Sequence, residues 1–509
     1  MSTNWISTVG RPNSKLAIII GEIPDSEIIK ESESHLGGVL WLCENVERPN
    51  DLIPPSVQCL SPHESQPALS RRITDFIALD YQDIPCVKVS PSVAGCKAYS
   101  DTLDLLISKI EVISRARRTR QATGFDRQYL VFQNMPGYLL SRVPTDWSSL
   151  GKNCFALVVG AGPSLDVTLP IFQAGFPRPI IIACDSALSA LLKLGIAPDF
   201  LISIDPHKSF ESCSREDLSP GIAILSSQSH PSWARQWGEK ARYLSGRVLT
   251  EDWLATKGVS KTNILAANNA GLTALSFAHS LSPSLIITIG MDLSSGLHHG
   301  DRYAENTGRT HIQVHAEHYH TIPGNFEKTV KTPFFADWEE TSKLSLDISR
   351  QCPIFNLTDR GAVLEGATLV HPDDSAHLKQ AVSESILPFS PDAGKLSLKK
   401  QISGIGLEQV LATLLSCCDQ VWLSADKYNL GSQAKGMLYE LFKDSDLSSL
   451  LGDFSFVTMP WLQKESVDEQ KLESAVSALR KITCALEDAV LKCRPSKRFV
   501  INQILSTGQ

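Results

Sequence analysis

Short apolar runs rich in β-branched residues alternate with polar or amphipathic segments along the first part of the chain. They occupy residues 16–20, 38–43 and 85–89, and the segment 102–113 has the apolar spacing of a helix. Strands that are apolar throughout are typical of parallel sheets covered on both faces. The pattern therefore predicts a small N-terminal α/β domain, which with its connector accounts for residues 1–150.

The connector is predicted at 125–153, where Pro, Gly, Asn and Ser are mixed with aromatic residues and no period persists. We expect this segment to lie on the surface of the next domain. Beyond it, five apolar runs predict buried strands, with helical segments at 186–194 and 271–281. The five runs are 155–160, 179–185, 199–205, 221–225 and 284–290.

Strands that alternate with helices in this way predict a doubly wound, Rossmann-like parallel sheet with helices on both faces. We assign this central α/β domain to residues 151–385, with a supporting helix from 335 and a final strand near 353–358. Ligands of such sheets bind at the carboxyl ends of the strands. Candidate binding residues should therefore follow the apolar runs directly.

The last part of the chain loses its strand-like runs beyond residue 391. Two sets of apolar residues recur there with helical spacing, which predicts a C-terminal helical domain at 386–509. The first set is Leu407, Val410, Leu411, Leu414, Leu415 and Cys418, and the second is Leu472, Val476, Leu479, Ile482, Leu486 and Cys493.

Composition narrows the class of protein further. Among 509 residues, 48 Lys and Arg against 55 Asp and Glu give a formal charge of −7, which supplies no general attraction for nucleic acid. The basic run at 115–120 is interpreted as a solvated helix end. The 12 cysteines include no C-x-x-C pair, which is typical of reduced thiols. With no signal-like N-terminus and no long apolar run, we expect a cytoplasmic protein without a membrane span.

The strongest local motif is the turn V-V-G-A-G-P-S-L-D at 158–166, which follows a predicted buried strand. Gly160 and Gly162 permit close backbone approach, and Pro163 suits the first position of a helix. Free N–H groups and the Ser164 hydroxyl would then face an anion at the helix N-terminus. The alternative is an ordinary tight turn between strand and helix, because the motif is neither a full G-x-G-x-x-G nor a P-loop.

Three further strand ends carry a carboxylate. Asp185 is followed by Ser186, Asp205 ends the third strand, and Asp292 follows Gly290 and Met291. In this architecture all three should reach the binding crevice, where Asp185 could accept hydrogen bonds from ribose or from a base edge. A single such residue is commonly a helix N-cap. Three in one sheet favour a polar ligand.

Six of the 13 histidines are concentrated between residues 298 and 320. Histidines concentrated in this way can transfer protons or bind a metal ion. The third alternative is a polar loop that takes part in no chemistry. No H-E-x-x-H motif and no cysteine cluster is present, so the metal ligands, if any, remain unknown. The six are His298, His299, His311, His315, His318 and His320.

The combined motifs resemble a known family. The GAGPSLD turn, the segment from D-S-A-L to S-I-D at 185–205 and I-T-I-G-M-D-L at 287–293 resemble the motility-associated factor (Maf) flagellin glycosyltransferases. The resemblance covers roughly residues 130–375, and the order of the three regions also resembles that of the Maf proteins. The central domain is shared with MptE-like 6-hydroxymethylpterin pyrophosphokinases and is similar to bacterial sialyltransferases.

The resemblance implies transfer of a nonulosonic acid of pseudaminic or legionaminic type from a CMP-activated donor to Ser or Thr of flagellin, without a required cofactor. It further implies nucleotide contacts from ten residues, to which the strand-end pattern adds Asp205. The ten are Gly160, Gly162, Pro163, Ser164, Asp185, Ser186, Asn269, Gly271, Gly290 and Tyr303.

His298 and Asp292 are the predicted catalytic residues, with His298 removing the proton of the acceptor hydroxyl. The sialyltransferases carry their basic histidine further along the chain, where this sequence has none between 323 and 344. The position of the base therefore departs from the sialyltransferase pattern.

Two alternatives remain. An MptE-like pyrophosphokinase would use ATP and Mg²⁺ held by Asp185, Asp205 and Asp292, although those kinases are single short domains. A non-catalytic nucleotide-binding adaptor would retain only the fold. Under the enzyme hypotheses, Ser164→Ala and Asp185→Ala are expected to weaken nucleotide binding without unfolding the protein.

Overall fold

A computed structural model provides the structure of the chain, which divides into two compact units, Met1–Thr119 and Arg120–Gln509. The long helix α3 contains the residue at which the units divide, and each unit is described by itself. The structure describes residues 5, 7–9, 12–44, 46, 53–64, 66–77, 84–173, 176–214, 216, 218–295, 301–312, 319–385, 387–389, 404–427, 433–462 and 467–494.

The first unit contains a five-stranded sheet with the order β1-β5-β2-β3-β4. All neighbours are parallel except β1, which runs antiparallel to β5. Ile19 and Trp41 from adjacent strands pack with Ile28 of α1, so the predicted α/β fold of this region is confirmed. Its elements are β1 Ser7–Val9, β2 Leu16–Ile20, α1 Asp25–Ser34, β3 Gly38–Leu42, β4 Val57–Leu60, α2 Gln66–Ile77, β5 Cys86–Val89 and α3 Lys97–Leu140.

The predicted surface connector at 125–153 differs from the structure. Helix α3 continues to Leu140 through Pro136, and Phe132 and Tyr138 are buried in the core of the second unit. An internal proline removes one backbone hydrogen bond and crowds the preceding turn. Burial of large apolar side chains on both sides of Pro136 offsets that penalty. A prediction based on helix-breaking residues does not count this burial and therefore ends the helix too early.

The second unit is built on an eight-stranded sheet with the order β10-β9-β8-β7-β6-β11-β14-β15, and every neighbouring pair is parallel. The doubly wound sheet predicted from sequence is thereby confirmed. Its strands are β6 Phe155–Val159, β7 Ile180–Cys184, β8 Phe200–Ser203, β9 Ile222–Ser226, β10 Ala241–Leu244, β11 Leu285–Ile289, β14 Ile354–Leu357 and β15 Thr368–Val370, and a separate hairpin comprises β12 His320–Pro323 and β13 Thr329–Thr332.

Helices cover both faces of this sheet. Alternate residues of each strand point to opposite faces and pack in two separate hydrophobic cores. Leu157 and Val159 of β6 pack in one cluster, whereas Ala156 and Val158 pack in the other. The helices are α4 Leu165–Gln173, α5 Leu188–Lys193, α6 Phe210–Cys213, α7 Pro231–Trp237, α8 Leu249–Thr256, α9 Ala270–Ser280, α10 Phe335–Ser349 and α11 Ser375–Ser385.

The C-terminal region is helical, as the apolar spacing predicts. Leu414 of α12 and Leu479 of α16 lie in the same core as β6, so the helices belong to the compact unit that holds the sheet. Among the described helices, none has the length and apolar character needed to cross a bilayer. The helices are α12 Gly404–Lys427, α13 Ala434–Lys443, α14 Ser445–Leu450, α15 Gly452–Leu462 and α16 Glu469–Cys493.

Strand order reverses between β6 and β11. From β6 the chain proceeds outward through β7, β8, β9 and β10, and it then returns to place β11 on the other side of β6. The loops that follow β6 and β11 consequently leave the sheet in opposite directions and open a crevice between them. Such a topological switch point is where doubly wound sheets bind ligands.

Candidate functional site

The glycines after β6 and β11 face each other across the switch point. A Cβ at Gly160 would lie 2.3 Å from the carbonyl oxygen of Gly290, and one at Gly290 would lie 2.5 Å from the oxygen of Gly160. Gly290 also has a φ of 65°, which favours glycine. The backbone N–H of Gly162 donates to the Gly290 oxygen at 2.9 Å. Contact between the two strand ends therefore requires these glycines before any ligand is considered.

The N-terminus of α4 faces an anion that belongs to the protein. The backbone N–H of Ser164 donates to Oδ2 of Asp292 at 2.7 Å, and the Thr358 hydroxyl donates to Oδ1 at 3.3 Å. Burial raises the pKa of Asp292, while the hydrogen bond from the Ser164 N–H opposes that shift. Ser164 is wholly buried, whereas Gly162 and Pro163 are partly exposed. The exposed part of the turn is thus what a nucleotide could reach directly.

A buried ion pair occupies the ends of β7 and β8. Asp185 is fully buried, and its Oδ1 accepts from the Ser186 backbone N–H at 2.7 Å and from Lys208 Nζ at 3.0 Å. The Ser203 hydroxyl donates to its Oδ2 at 3.2 Å, and Lys208 also bonds Ser186 Oγ at 3.1 Å. Both carboxylate oxygens therefore face protein donors, and the predicted nucleoside contact of Asp185 stays a prediction.

Lys208 remains charged in this environment. Burial lowers the pKa of Lys208, but the Asp185 carboxylate raises it. Tyr303 and Asp205 also raise it, and the net shift of the pKa is upward. Asp205 itself is half-buried and accepts from the His207 backbone N–H at 2.8 Å. The crevice thus contains a permanent cation next to two carboxylates.

The start of α9 lines the same crevice. The Asn269 side-chain oxygen caps the helix by accepting from the Leu272 N–H at 2.7 Å. A Cβ at Gly271 would lie 2.7 Å from the end of the Met291 side chain, so glycine is needed for close packing against the segment after β11. The Asn269 amide lies beside Asp337 in the first turn of α10, the predicted supporting helix.

Two guanidinium groups lie close to the ring of Tyr303. Those of Arg302 and Arg309 each lie 5.0 Å from the centre of its ring, a distance typical of cation–π contacts. The next residue, Ala304, donates its N–H to the oxygen of Ala161 at 3.0 Å. This bond ties the segment that carries Tyr303 to the glycine turn, although the ring itself is only 7% exposed.

A cleft of about 360 Å³ opens beside the glycine turn and is bounded by Pro163 and Asp292. Lys331 and Arg360 supply positive charge, although Arg360 forms a 2.6 Å ion pair with its neighbour Asp359. Phe326 is 49% exposed at the same cleft. The remaining lining residues are Ser294, Ser295, Glu327, Thr329, Val330, Asp359 and Gly361.

Comparison with known proteins bears on this crevice. Residues 134–296 match the family model described as 6-hydroxymethylpterin diphosphokinase MptE-like. This segment, which includes β6 to β11, is therefore similar to MptE-like proteins. The matched segment includes the glycine turn, Asp185, Lys208 and Asp292, so the predicted resemblance is confirmed for the part of the chain that builds the switch point.

The chain is similar to a solved structure described as the MAf glycosyltransferase from Magnetospirillum magneticum AMB-1, with 15% identity and a TM-score of 0.48. The similarity covers 95% of this chain and 76% of that chain. No match was found among curated proteins.

The histidines are only partly within the described residues. His311 is exposed, and His320 packs its ring 5.1 Å from that of Phe335. The predicted base His298 lies outside the described residues, as do His299, His315 and His318. Within the described part of the chain, no group of three or more His, Cys, Asp or Glu side chains is arranged to hold a metal ion.

A second polar network lies at the ends of β9 and β10. Glu251 is fully buried and accepts from the Ser227 hydroxyl and from the Gly246 N–H, the latter at 2.6 Å. Burial raises the pKa of Glu251 to about 7, although these two hydrogen bonds oppose the shift. Glu251 therefore titrates near neutral pH in the folded protein.

This pKa predicts a pH-dependent stability. Between the ordinary value of 4.5 and about 7, folded Glu251 keeps a proton that the unfolded chain releases, so stability falls as pH rises, by up to about 3 kcal/mol. Glu251→Gln should remove this decline, since its amide can still bond Ser227 and Gly246. Urea unfolding of both proteins between pH 5 and 8 measures it. The assignment would be contradicted if the stability of Glu251→Gln fell equally with rising pH. It would also be contradicted if Glu239→Gln, at an exposed position, abolished the fall.

Proposed function

We propose that the chain is a glycosyltransferase that moves a nonulosonic acid of pseudaminic or legionaminic type from a CMP-activated donor to Ser or Thr hydroxyls of flagellin in the cytoplasm. The observation that carries this proposal is the use of protein cations at the switch point. Lys208 bonds Asp185 there, and the charges of Lys208 and Arg302 both act on Asp337.

Protein cations suit the chemistry of such a donor. When the bond between sugar and phosphate breaks, negative charge develops on the departing nucleotide phosphate. Fixed positive groups in a crevice partly shielded from water stabilise that charge without reorganisation. We assign this role to Lys208, which bonds Asp185 at the end of β7, and to Arg302, whose segment is tied to Ala161 of the glycine turn by the Ala304 N–H.

The adjacent cleft fits the rest of the donor. A nonulosonic acid carries a carboxylate and a nine-carbon sugar skeleton, and Lys331 supplies a cation where Phe326 presents an exposed ring. Charged and aromatic groups that converge in one pocket commonly fix a polar ligand and pack against its apolar face. We assign the sugar of the donor to this cleft and its nucleotide to the crevice at the glycine turn.

The second candidate is the pyrophosphokinase, which the family match over 134–296 favours. That reaction uses Mg²⁺ to bridge the transferred phosphates. Of the three carboxylates suggested as its ligands, Asp185 bonds Lys208, and Asp292 bonds Ser164 and Thr358. An ammonium group bound to one of these carboxylates opposes a divalent cation at the same position, and this favours glycosyl transfer.

Substrate use separates the two enzymes. The purified chain is incubated with CMP-pseudaminic or CMP-legionaminic acid and unmodified flagellin as the acceptor and, separately, with ATP, Mg²⁺ and 6-hydroxymethyl-7,8-dihydropterin. We expect release of CMP from the first mixture and no AMP from the second. Release of AMP with pterin diphosphate would identify the kinase, and inactivity in both mixtures would favour a nucleotide-binding adaptor.

Arg302 provides a variant test of the same proposal. Arg302→Gln should slow CMP release by about 100-fold, the usual effect of removing one group that stabilises a developing charge. Arg350→Gln is the matched control, because this exposed residue directly after α10 pairs with Asp347, three residues away. Equal rates for the two variants would argue against Arg302 as a ligand of the leaving phosphate.

A further inference from the structure

Asp337 lies at the crevice but has no assigned role. It occupies the first turn of α10, next to the start of α9 and the segment after β11. Asn268 at the start of α9 donates to Glu340 of α10 at 2.8 Å, and the Arg302 guanidinium lies 5.0 Å from the ring centre of Phe334, the residue before α10. The charges of Arg302 and Lys208 both act on the Asp337 carboxylate. This half-buried carboxylate thus lies where residues from both sides of the switch point converge.

Asp337 differs from three of the carboxylates around the sheet. Asp185 pairs with Lys208, Asp292 caps α4, and Asp199 pairs with Arg178 at 2.7 Å. Among the described residues, no Lys or Arg forms an ion pair with Asp337. The neighbouring Asn269 Nδ2 is buried and lies close to this carboxylate without the short, aligned geometry of a hydrogen bond. The Asn269 Nδ2 group and the Asp337 carboxylate therefore both retain capacity to bind a ligand.

We propose that Asp337 is the general base of the glycosyl transfer, an inference that rests on the proposed function. Its carboxylate accepts the proton of the acceptor Ser or Thr hydroxyl. The acceptor oxygen forms a bond to the anomeric carbon of the donor sugar, and the bond from that carbon to the phosphate oxygen breaks, with its electron pair leaving on CMP. The proton on Asp337 then passes to solvent, which restores the carboxylate.

The surroundings adjust Asp337 for this step. Burial raises the pKa of Asp337, while Asn269, Arg302 and Lys208 oppose the shift, and Glu340 adds a like charge one turn along α10. A raised pKa makes the carboxylate a stronger base. The charged form is the active one, so activity should fall on acidification, and the acidic limb of the pH profile should belong to Asp337.

The test compares two nucleophiles. Asp337→Asn should lower transfer to a peptide hydroxyl at least 100-fold, in line with the usual contribution of a general base. Transfer to azide should continue at a rate near that of wild type, because azide has no proton to lose. The calorimetric affinity for CMP should be unchanged. Asp347→Asn, an exposed carboxylate on the same helix, is the matched control and should leave both transfers unaltered.

Each result decides between roles. If Asp337→Asn transfers to the hydroxyl at the wild-type rate, this inference is overturned and the proposed function is not. If His298→Ala instead loses hydroxyl transfer and keeps azide transfer, the base is His298. Loss of both hydroxyl and azide transfer in a folded Asp337→Asn protein indicates a structural role and also overturns it. Wild-type protein that uses neither nucleophile refutes the proposed function itself.

Discussion

Replacing Lys208 with methionine should lower the free energy of unfolding by about 3–5 kcal/mol, since removal of one partner leaves a buried charge without compensation. The Lys208 side chain is 16% exposed and that of its partner Asp185 is 1% exposed. Ser186 and Ser203 would still donate to Asp185, but neither carries a positive charge. Urea unfolding at pH 7 measures the loss.

A double substitution distinguishes the lost ion pair from lost packing. Asp185→Asn combined with Lys208→Met should recover at least 1 kcal/mol relative to the sum of the single effects, because no unpaired charge remains. Lys193→Met is the control, since this lysine bonds the Asn306 carbonyl oxygen at an exposed position. Additive effects, or a loss below about 1 kcal/mol for Lys208→Met, would contradict the buried pair. The same geometry predicts that Asp185→Ala destabilises the fold, contrary to the expectation from sequence.

Gly290→Ala should destabilise the protein by about 3 kcal/mol. The new Cβ would lie 2.5 Å from the Gly160 carbonyl oxygen, and a φ of 65° adds strain for any residue with a side chain. Because β6 and β11 are hydrogen-bonded neighbours, relief of this clash requires the two strand ends to separate. Thermal and urea unfolding both report the change.

Gly195→Ala provides the matched comparison. Gly195 has a similar φ of 69°, but nothing lies within 4 Å of its Cβ position. Its substitution should therefore reveal backbone strain alone, about 1 kcal/mol. Equal losses for the two variants would show that contact between the strand ends is not what requires glycine at 290.

The sequence predicted most of the central sheet because its strands are apolar throughout. Runs such as 155–160 and 284–290 have no helical period, and each proved to be a buried parallel strand. Strand β10 was missed because Arg242 interrupts its apolar run, although that side chain is buried. The three-residue β15 is too short to give a pattern.

The candidate site was predictable only where its residues follow strands directly. The glycine turn and Asp292 carry local signals, and their proximity follows from the topology of the sheet. Lys208, Arg302 and Asp337 have no such signal, since each is a single charged residue in a polar segment. Their convergence depends on packing between distant elements, which no local pattern encodes. Asp337 shows this most clearly, because its helix is ordinary in sequence.

Intact-mass analysis of flagellin tests the central claim most directly. Unmodified flagellin is incubated with the purified chain and a CMP-activated pseudaminic or legionaminic acid, and its mass is compared with that after incubation without the donor. Glycosyl transfer predicts mass increments equal to whole sugar residues on Ser or Thr, with CMP released in the same number. An unchanged flagellin mass in the presence of folded, CMP-binding protein would contradict transfer to flagellin.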